Sequence, residues 1–175
     1  MNALIACVRF IDRINYYLGK YVVSWILFVL MGIALFEVVT RRIIGTPHAW
    51  TQEILVYLFC AHFILALGYT LYYREHVVVD AFTSFLPERV QVALETLVYV
   101  FFVGAFVYVM IPTAFDFAAR SWGSGERAPT SFNSPVYPAK TVIPVGIILL
   151  GIQLLGLVSK NVLFLTRGET LEDKN

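Results

Sequence analysis

The chain is poor in charge, poor in cysteine and without nucleotide-binding loops. Charged residues make up 14% of its 175 positions against 59% hydrophobic ones, and the net charge is +1. So small a charge gives no pull toward nucleic acid. Cys7 and Cys60 lack CxxC spacing and a nearby second thiol, so they read as packing residues rather than a disulfide or a metal site. No GxxxxGK[ST] loop is present, which excludes ATP energisation by that route, and Gly123 and Gly125 do not make a GxGxxG. His62 is the one histidine inside an apolar run, whereas a transmembrane b-type haem needs two axial histidines from facing helices. No cofactor and no enzymatic machinery are expected.

What the chain does have is long apolar runs, at 21–39, 54–73, 90–115 and 141–159, each ending at charged residues. A helix rises about 1.5 Å per residue, so about 20 apolar residues cross a ~30 Å hydrocarbon core. Backbone amides in lipid have no water to bond, so each run must be helical. The expected fold is an all-α integral membrane protein with four transmembrane helices in a single domain 1–175, its spans at about 21–43, 51–73, 88–119 and 139–165. What remains is too short for a soluble domain.

Lys and Arg counts give the orientation. Arg9, Arg13, Lys20, Arg74, Arg89, Lys160, Arg167 and Lys174 fall on the side of the termini, and Arg41, Arg42, Arg120, Arg127 and Lys140 on the other. Eight against five favours cytoplasmic termini, N-in and C-in. Aromatic residues agree: Tyr16, Tyr17, Tyr21 and Trp25 lie at the inner mouth of span one, and Trp50 and Trp122 at outer span ends. Leu4, Val8, Ile11 and Leu18 form one helical stripe with Arg9, Arg13 and Lys20 away from it, which predicts an amphipathic interfacial helix over 1–20. Pro87 with Glu88 reads as a helix start. The Gly-, Ser- and Pro-rich stretch 120–138 reads as an exposed, irregular periplasmic loop.

Ionisable groups in a bilayer are costly, so their positions are informative. Glu37 precedes Arg41 by four residues and Asp116 precedes Arg120 by four, the favoured order for intrahelical ion pairs. Glu95 lies about two turns into span three. Gln153 and His62 are expected to hydrogen-bond neighbouring helices, and Pro112 and Pro144 to kink theirs. No run carries the small-xxx-small seam of a self-associating span. A polar cargo needs polar groups or broken helices near mid-depth. These runs offer little of either, so the physical reading is an accessory subunit packed on a larger membrane partner.

Several local patterns now become specific. Arg41-Arg42-Ile43-Ile44-Gly45, then Trp50 and Glu53, resembles the R-x-x-x-G … W-x-x-E stretch of the small membrane subunit of tripartite ATP-independent periplasmic (TRAP) transporters. Arg74-Glu75-His76-Val77-Val78-Val79-Asp80 resembles that family's E-H-x-x-x-D signature after span two, and Pro144-Val145-Gly146 its P-x-G. The resemblance implies a bacterial inner-membrane protein whose partners are a large membrane subunit of about a dozen helices, carrying sodium and substrate, and a periplasmic substrate-binding protein that captures an organic acid. The small subunit would then widen the fixed scaffold and help dock the binding protein.

The residues leave their own roles open. Arg41 and Arg42 suit membrane phospholipid phosphate, the large subunit, Glu53 or simple topology charges. Trp50 suits an interface anchor. His76 and Asp80, four apart, would fix an inner segment or cap it locally. The alternatives to a transporter subunit are the membrane anchor of a respiratory complex and a small stand-alone transporter, the latter needing an essential acid such as Glu37 or Glu95.

Overall fold

A computed structural model describes residues 2–45, 48–73 and 87–167. It is all-helical across the spans: α1 (Asn2–Tyr17), α2 (Ser24–Ile43), α3 (Ala49–Tyr72), α4 (Glu88–Val98), α5 (Gly104–Ser124) and α6 (Tyr137–Arg167). π-Helical stretches, Leu18–Val23 and Tyr99–Val103, join α1 to α2 and α4 to α5 without a break. Among the described residues, four helical rods long and apolar enough to cross a membrane result: Val8–Ile43, Ala49–Tyr72, Arg89–Ser124 and Tyr137–Thr166.

Local chemistry sets the helix ends. Pro87 stands in extended conformation, and its carbonyl accepts the Val90 and Gln91 amides at 2.8 and 3.1 Å, so α4 begins where proline at a helix start predicts. α5 stops at Gly125, whose φ of 58° is left-handed. The Gly125 amide donates to Trp122 and the Glu126 amide to Ser121, the pair of bonds that closes a Schellman cap.

α6 is the hub. Half of its apolar window is buried inside the protein, against 11% for each of the other rods. α3 and α5 pack along it and α1 crosses it, while α2 leans on α3. The core is Leu71 from α3, Tyr99, Val107 and Ala114 from the third rod, and Ile147, Leu150, Leu154 and Leu157 from α6. Glycine permits the closest approach. A Cβ on Gly146 would stand 2.6 Å from the Ile64 carbonyl oxygen, and one on Gly68 would stand 2.4 Å from Asn15 Oδ1. Small residues thus seat α3 on α6 at Gly68 and Gly146, without a regular small-xxx-small seam in either helix.

The N-terminal stripe finds protein. Val8 is buried, and the Val8 and Ile11 methyls lie against Gly156 of α6, while Arg9, Arg13 and Lys20 stay exposed. Polar groups lock the same crossing. Asn15 Nδ2 donates to Gln153 Oε1 at 2.7 Å, Gln153 Nε2 donates to Asp12 Oδ1 at 2.9 Å, and Lys160 pairs with Asp12. The expectation set 1–20 apart from span one, whereas here the helix continues through the π stretch. That stretch has a packing consequence: Gly19 faces the Tyr69 ring, where a Cβ would overlap the ring carbons. His62 Nδ1 lies 3.1 Å from the Val23 carbonyl oxygen, and a carbonyl only accepts, so the proton sits on Nδ1. Both expected interhelical bonds, from Gln153 and His62, are therefore made to the first rod.

The Gly146 contact is against backbone, which cannot rotate away. Gly146→Val is expected to lower the stability of the purified protein in detergent by about 2 kcal/mol or more, because overpacking must separate two helices. Gly32, with nothing near its Cα face, is the control: Gly32→Ala should leave stability unchanged or slightly raised. Thermal or SDS unfolding of the two variants checks both.

Candidate functional site at the loop end of the bundle

A second cluster of polar groups, besides that at the α1–α6 crossing, sits at the end of the bundle opposite the chain termini. The last turns of α2 carry Glu37, Thr40 and Arg41, and α3 begins just beyond with His48, Thr51 and Glu53. Spacing of three and four residues puts Glu37 on one face with Thr40 and Arg41. Glu37 is 8% exposed and Thr51 fully buried. Taking a carboxylate out of water is costly unless hydrogen bonds replace the lost hydration. Glu37 has them: Arg41 Nη2 lies 3.1 Å from Oε1, and the Thr51 hydroxyl donates to Oε2 at 2.7 Å. His48 Nδ1 stands 3.6 Å from Oε2. The carboxylate thereby ties α2 to the first turn of α3.

Glu53 makes the second tie. It is 6% exposed, and its Oε2 accepts the Ser134 amide at 3.2 Å and the Ser134 hydroxyl. Tyr57, one turn further along α3, lies 2.8 Å from Ser134 Oγ. The serine proton goes to the carboxylate, so the tyrosine donates. Glu53 Oε1 is buried with no hydrogen-bond partner among the described residues. The clamp holds a loop that folds back on itself. An isolated antiparallel bridge joins Arg127 to Pro135, with the Ala128 amide 2.9 Å from the Ser134 carbonyl and the Val136 amide 3.0 Å from the Glu126 carbonyl. Lys140 of α6 reaches Glu126 at 2.5 Å, and Trp122 Nε1 donates to the Thr141 hydroxyl at 2.8 Å. The stretch expected to be irregular and exposed is thus exposed at its tip, 129–133, and anchored at both shoulders.

The other expected site residues are distributed as follows. Arg42 is exposed and Trp50 half-buried, its ring 6.0 Å from Phe36. Neither arginine is the partner of Glu53, whose recorded bonds go to Ser134. Asp116 and Arg120 do not form the expected side-chain ion pair. Arg120 Nε donates instead to the main-chain oxygen of Asp116 at 3.2 Å, and both side chains are exposed. Glu95 is half-buried in α4. His76, Asp80 and the inner segment around them lie outside the described residues.

Thr51, Tyr57 and Ser134 carry much of the site and were not legible as such. Neutral hydroxyls near helix ends have no spacing signature, and Ser134 meets Glu53 across 81 positions of sequence. Among the described residues no group of three or more His, Cys, Asp or Glu could hold a metal ion. A shallow apolar groove runs past Phe10, Ile14, Tyr17 and Tyr21, along the surface of the first rod rather than between helices. Chemically, the loop-end arrangement is a set of carboxylate–hydroxyl clamps rather than a nucleophile with its base.

Comparison with known proteins supplies the context. The family model described as "Tripartite ATP-independent periplasmic transporters, DctQ component" matches residues 30–163. A curated relative, the sialic acid TRAP transporter permease protein SiaT of Haemophilus influenzae (strain 86-028NP), is 24% identical over 114 residues. That match covers 65% of this chain and 17% of SiaT, so the chain spans less than a fifth of that relative's length.

Two outcomes follow from the clamps. Ser134→Ala removes one of the donors to a buried carboxylate and should speed amide exchange across 125–136 by about tenfold, the equivalent of roughly 1.4 kcal/mol, without unfolding the helices. The second concerns pH. The hydrogen bond from Lys140 holds the Glu126 carboxyl below its ordinary value of 4.5. A carboxyl lowered by folding stabilises the fold above its unfolded pKa and loses that contribution as pH falls through the folded value. The free energy of loop opening, from exchange rates corrected for their intrinsic pH dependence, should therefore be constant above about pH 5 and fall below 4.5, and Glu126→Gln should flatten the acid limb.

Proposed function

The chain belongs to the family of TRAP-transporter DctQ components, the small membrane subunits of these transporters, and from that premise we propose that it acts as a non-catalytic scaffold. In this reading it braces a large membrane subunit that binds sodium and substrate, and its loop end helps to dock a periplasmic protein that delivers an organic acid. The single observation that carries the reading is where the polar groups go. Glu37, Glu53, Asp12, Asn15, Gln153 and Lys160 bond to partners within the chain, at the bundle's ends or at the α1–α6 crossing. A carrier of polar cargo keeps such groups free around a mid-depth cavity.

The relative adds two supports. In SiaT a segment like this one occupies 17% of a permease, leaving a much longer remainder to carry out other work. Its named cargo, sialic acid, is itself an organic acid. We place the chain in the bacterial inner membrane with both termini cytoplasmic, on the Lys and Arg count. On that orientation the Glu53–Ser134 clamp and the 129–133 tip face the periplasm. A respiratory anchor is disfavoured because His62, engaged with the Val23 carbonyl, has no second described histidine within a span.

Reconstitution tests this. Proteoliposomes holding the chain alone should accumulate no organic acid under any imposed gradient. With the large subunit and the binding protein present, uptake should follow an inward sodium gradient and collapse when it is dissipated. Uptake by this chain alone would overturn the proposal.

A further inference from the structure

The outward face of α5 differs from that of α2. On α2 the exposed mid-span residues, such as Phe28, Met31, Leu35 and Val38, carry no polar side-chain atom other than thioether sulfur, as suits contact with acyl chains. On α5 the exposed stripe runs Ala105, Tyr108, Pro112 and Asp116, at helical spacings of three and four. Tyr108 is 82% exposed, the most exposed of the large apolar and aromatic side chains described. It sits 12 residues before Arg120 and 19 after Arg89, hence about 18 Å along the axis from the Arg120 end at about 1.5 Å per residue. That is close to the middle of a ~30 Å hydrocarbon core.

Tyrosine is at home at membrane interfaces, where its hydroxyl stays wet. Here the phenol has no hydrogen-bond partner among the described residues. The main chain adds to the deficit at the same point. Pro112 has no N–H to give to the carbonyl four residues back, which is that of Tyr108. One turn beyond Pro112, the Asp116 carboxylate is exposed and has no partner among the described residues, Arg120 bonding the Asp116 main-chain oxygen. Lipid tails offer these groups nothing, and a hydroxyl or carboxylate left without partners in hydrocarbon is costly. Three unsatisfied polar groups on one stripe of one helix are matched by a protein surface carrying donors.

We propose that this stripe of α5 is the face that docks on a transmembrane helix of the large permease subunit. The docking helix presents a hydrogen-bonding side chain to Tyr108 and a cationic or amide donor to Asp116. The proposal rests on the transporter-subunit reading given above and specifies which side of the chain meets the partner. The large subunit is chosen over a second copy of this chain because the family is one of transporter components; Arg120, exposed one turn past Asp116, could also serve a second copy, and the adduct mass below separates the two.

The test is photo-crosslinking in membranes from cells expressing both subunits, with benzoylphenylalanine in place of Tyr108 or, for comparison, Leu35 on α2. Both positions are exposed, so neither change disturbs the packed core. The expected result is an adduct at 108 with the mass of this chain plus the large subunit, in greater yield than at 35. Equal or greater yield at 35, an adduct of twice this chain's own mass, or lipid adducts alone at 108 would overturn the proposal. Tyr108→Phe and Asp116→Asn should each lower co-purification of the large subunit by roughly three- to tenfold, the scale of single hydrogen bonds between membrane helices. Unchanged recovery in both would overturn the hydrogen-bonded contact even if an adduct forms. If the unmodified chain co-purifies with no large permease, the transporter-subunit reading fails and the docking face with it. If the two co-purify and the adducts come from α2, only the docking face fails.

Discussion

Helices surrounded by lipid gain no hydrophobic free energy by touching one another, so something else must hold this bundle together. Close approach at glycine and hydrogen bonds that close on α6 supply it. Gly146 of α6 admits the Ile64 backbone of α3, Gly68 of α3 admits the Asn15 side chain of α1, and Gln153 of α6 bonds both Asn15 and Asp12 of α1. Each of these needs the others. A Cβ at Gly68 would collide with Asn15, the partner of Gln153, and a bare amide in the core of the bundle would cost more than it returned.

The two ends of the bundle solve the same problem with charge. At the terminal end, Asp12 and Lys160 neutralise one another beside Gln153. At the loop end, Glu37 and Glu53 each take hydroxyl donors from the next element along the chain, Thr51 from α3 and Ser134 from the loop. Removing one partner of such a buried set leaves a charge uncompensated, which makes these contacts specific rather than merely adhesive. Helices fixed at both ends and seated at glycine in between form a body suited to bracing a moving neighbour, consistent with the proposed scaffold role. The outward face of α5, with its unmet acceptors, is the exception that gives such a body a preferred side.

Much of the architecture was legible because lipid imposes it. Four apolar runs of membrane-crossing length and a proline at the start of α4 carry their own physical meaning in a single sequence. The Arg41, Trp50 and Glu53 pattern pointed to the family that the comparison then showed. The joints were less legible. Nothing in Leu18–Val23 announces a π-helical stretch, so 1–20 read as a separate helix, although the stripe through Val8 and Ile11 did mark a buried face. Asp116 and Arg120 have ion-pair spacing, but spacing fixes only which residues are neighbours, not which oxygen the guanidinium meets. Ser134 was hidden inside a stretch whose composition signals a loop, and composition says nothing about where a loop docks. Asn15 was likewise submerged in a polar, charge-bearing segment, its role visible only once α6 lay beside it.

The proposed scaffold role requires that this chain keep its internal geometry throughout transport. Pulsed electron spin resonance distances between labels at Ile43 of α2 and Leu155 of α6, both exposed, measure that directly in the complete transporter. The account predicts one distance distribution, the same with and without sodium and organic acid. A second population, displaced by several ångströms when sodium and substrate are added, would contradict it.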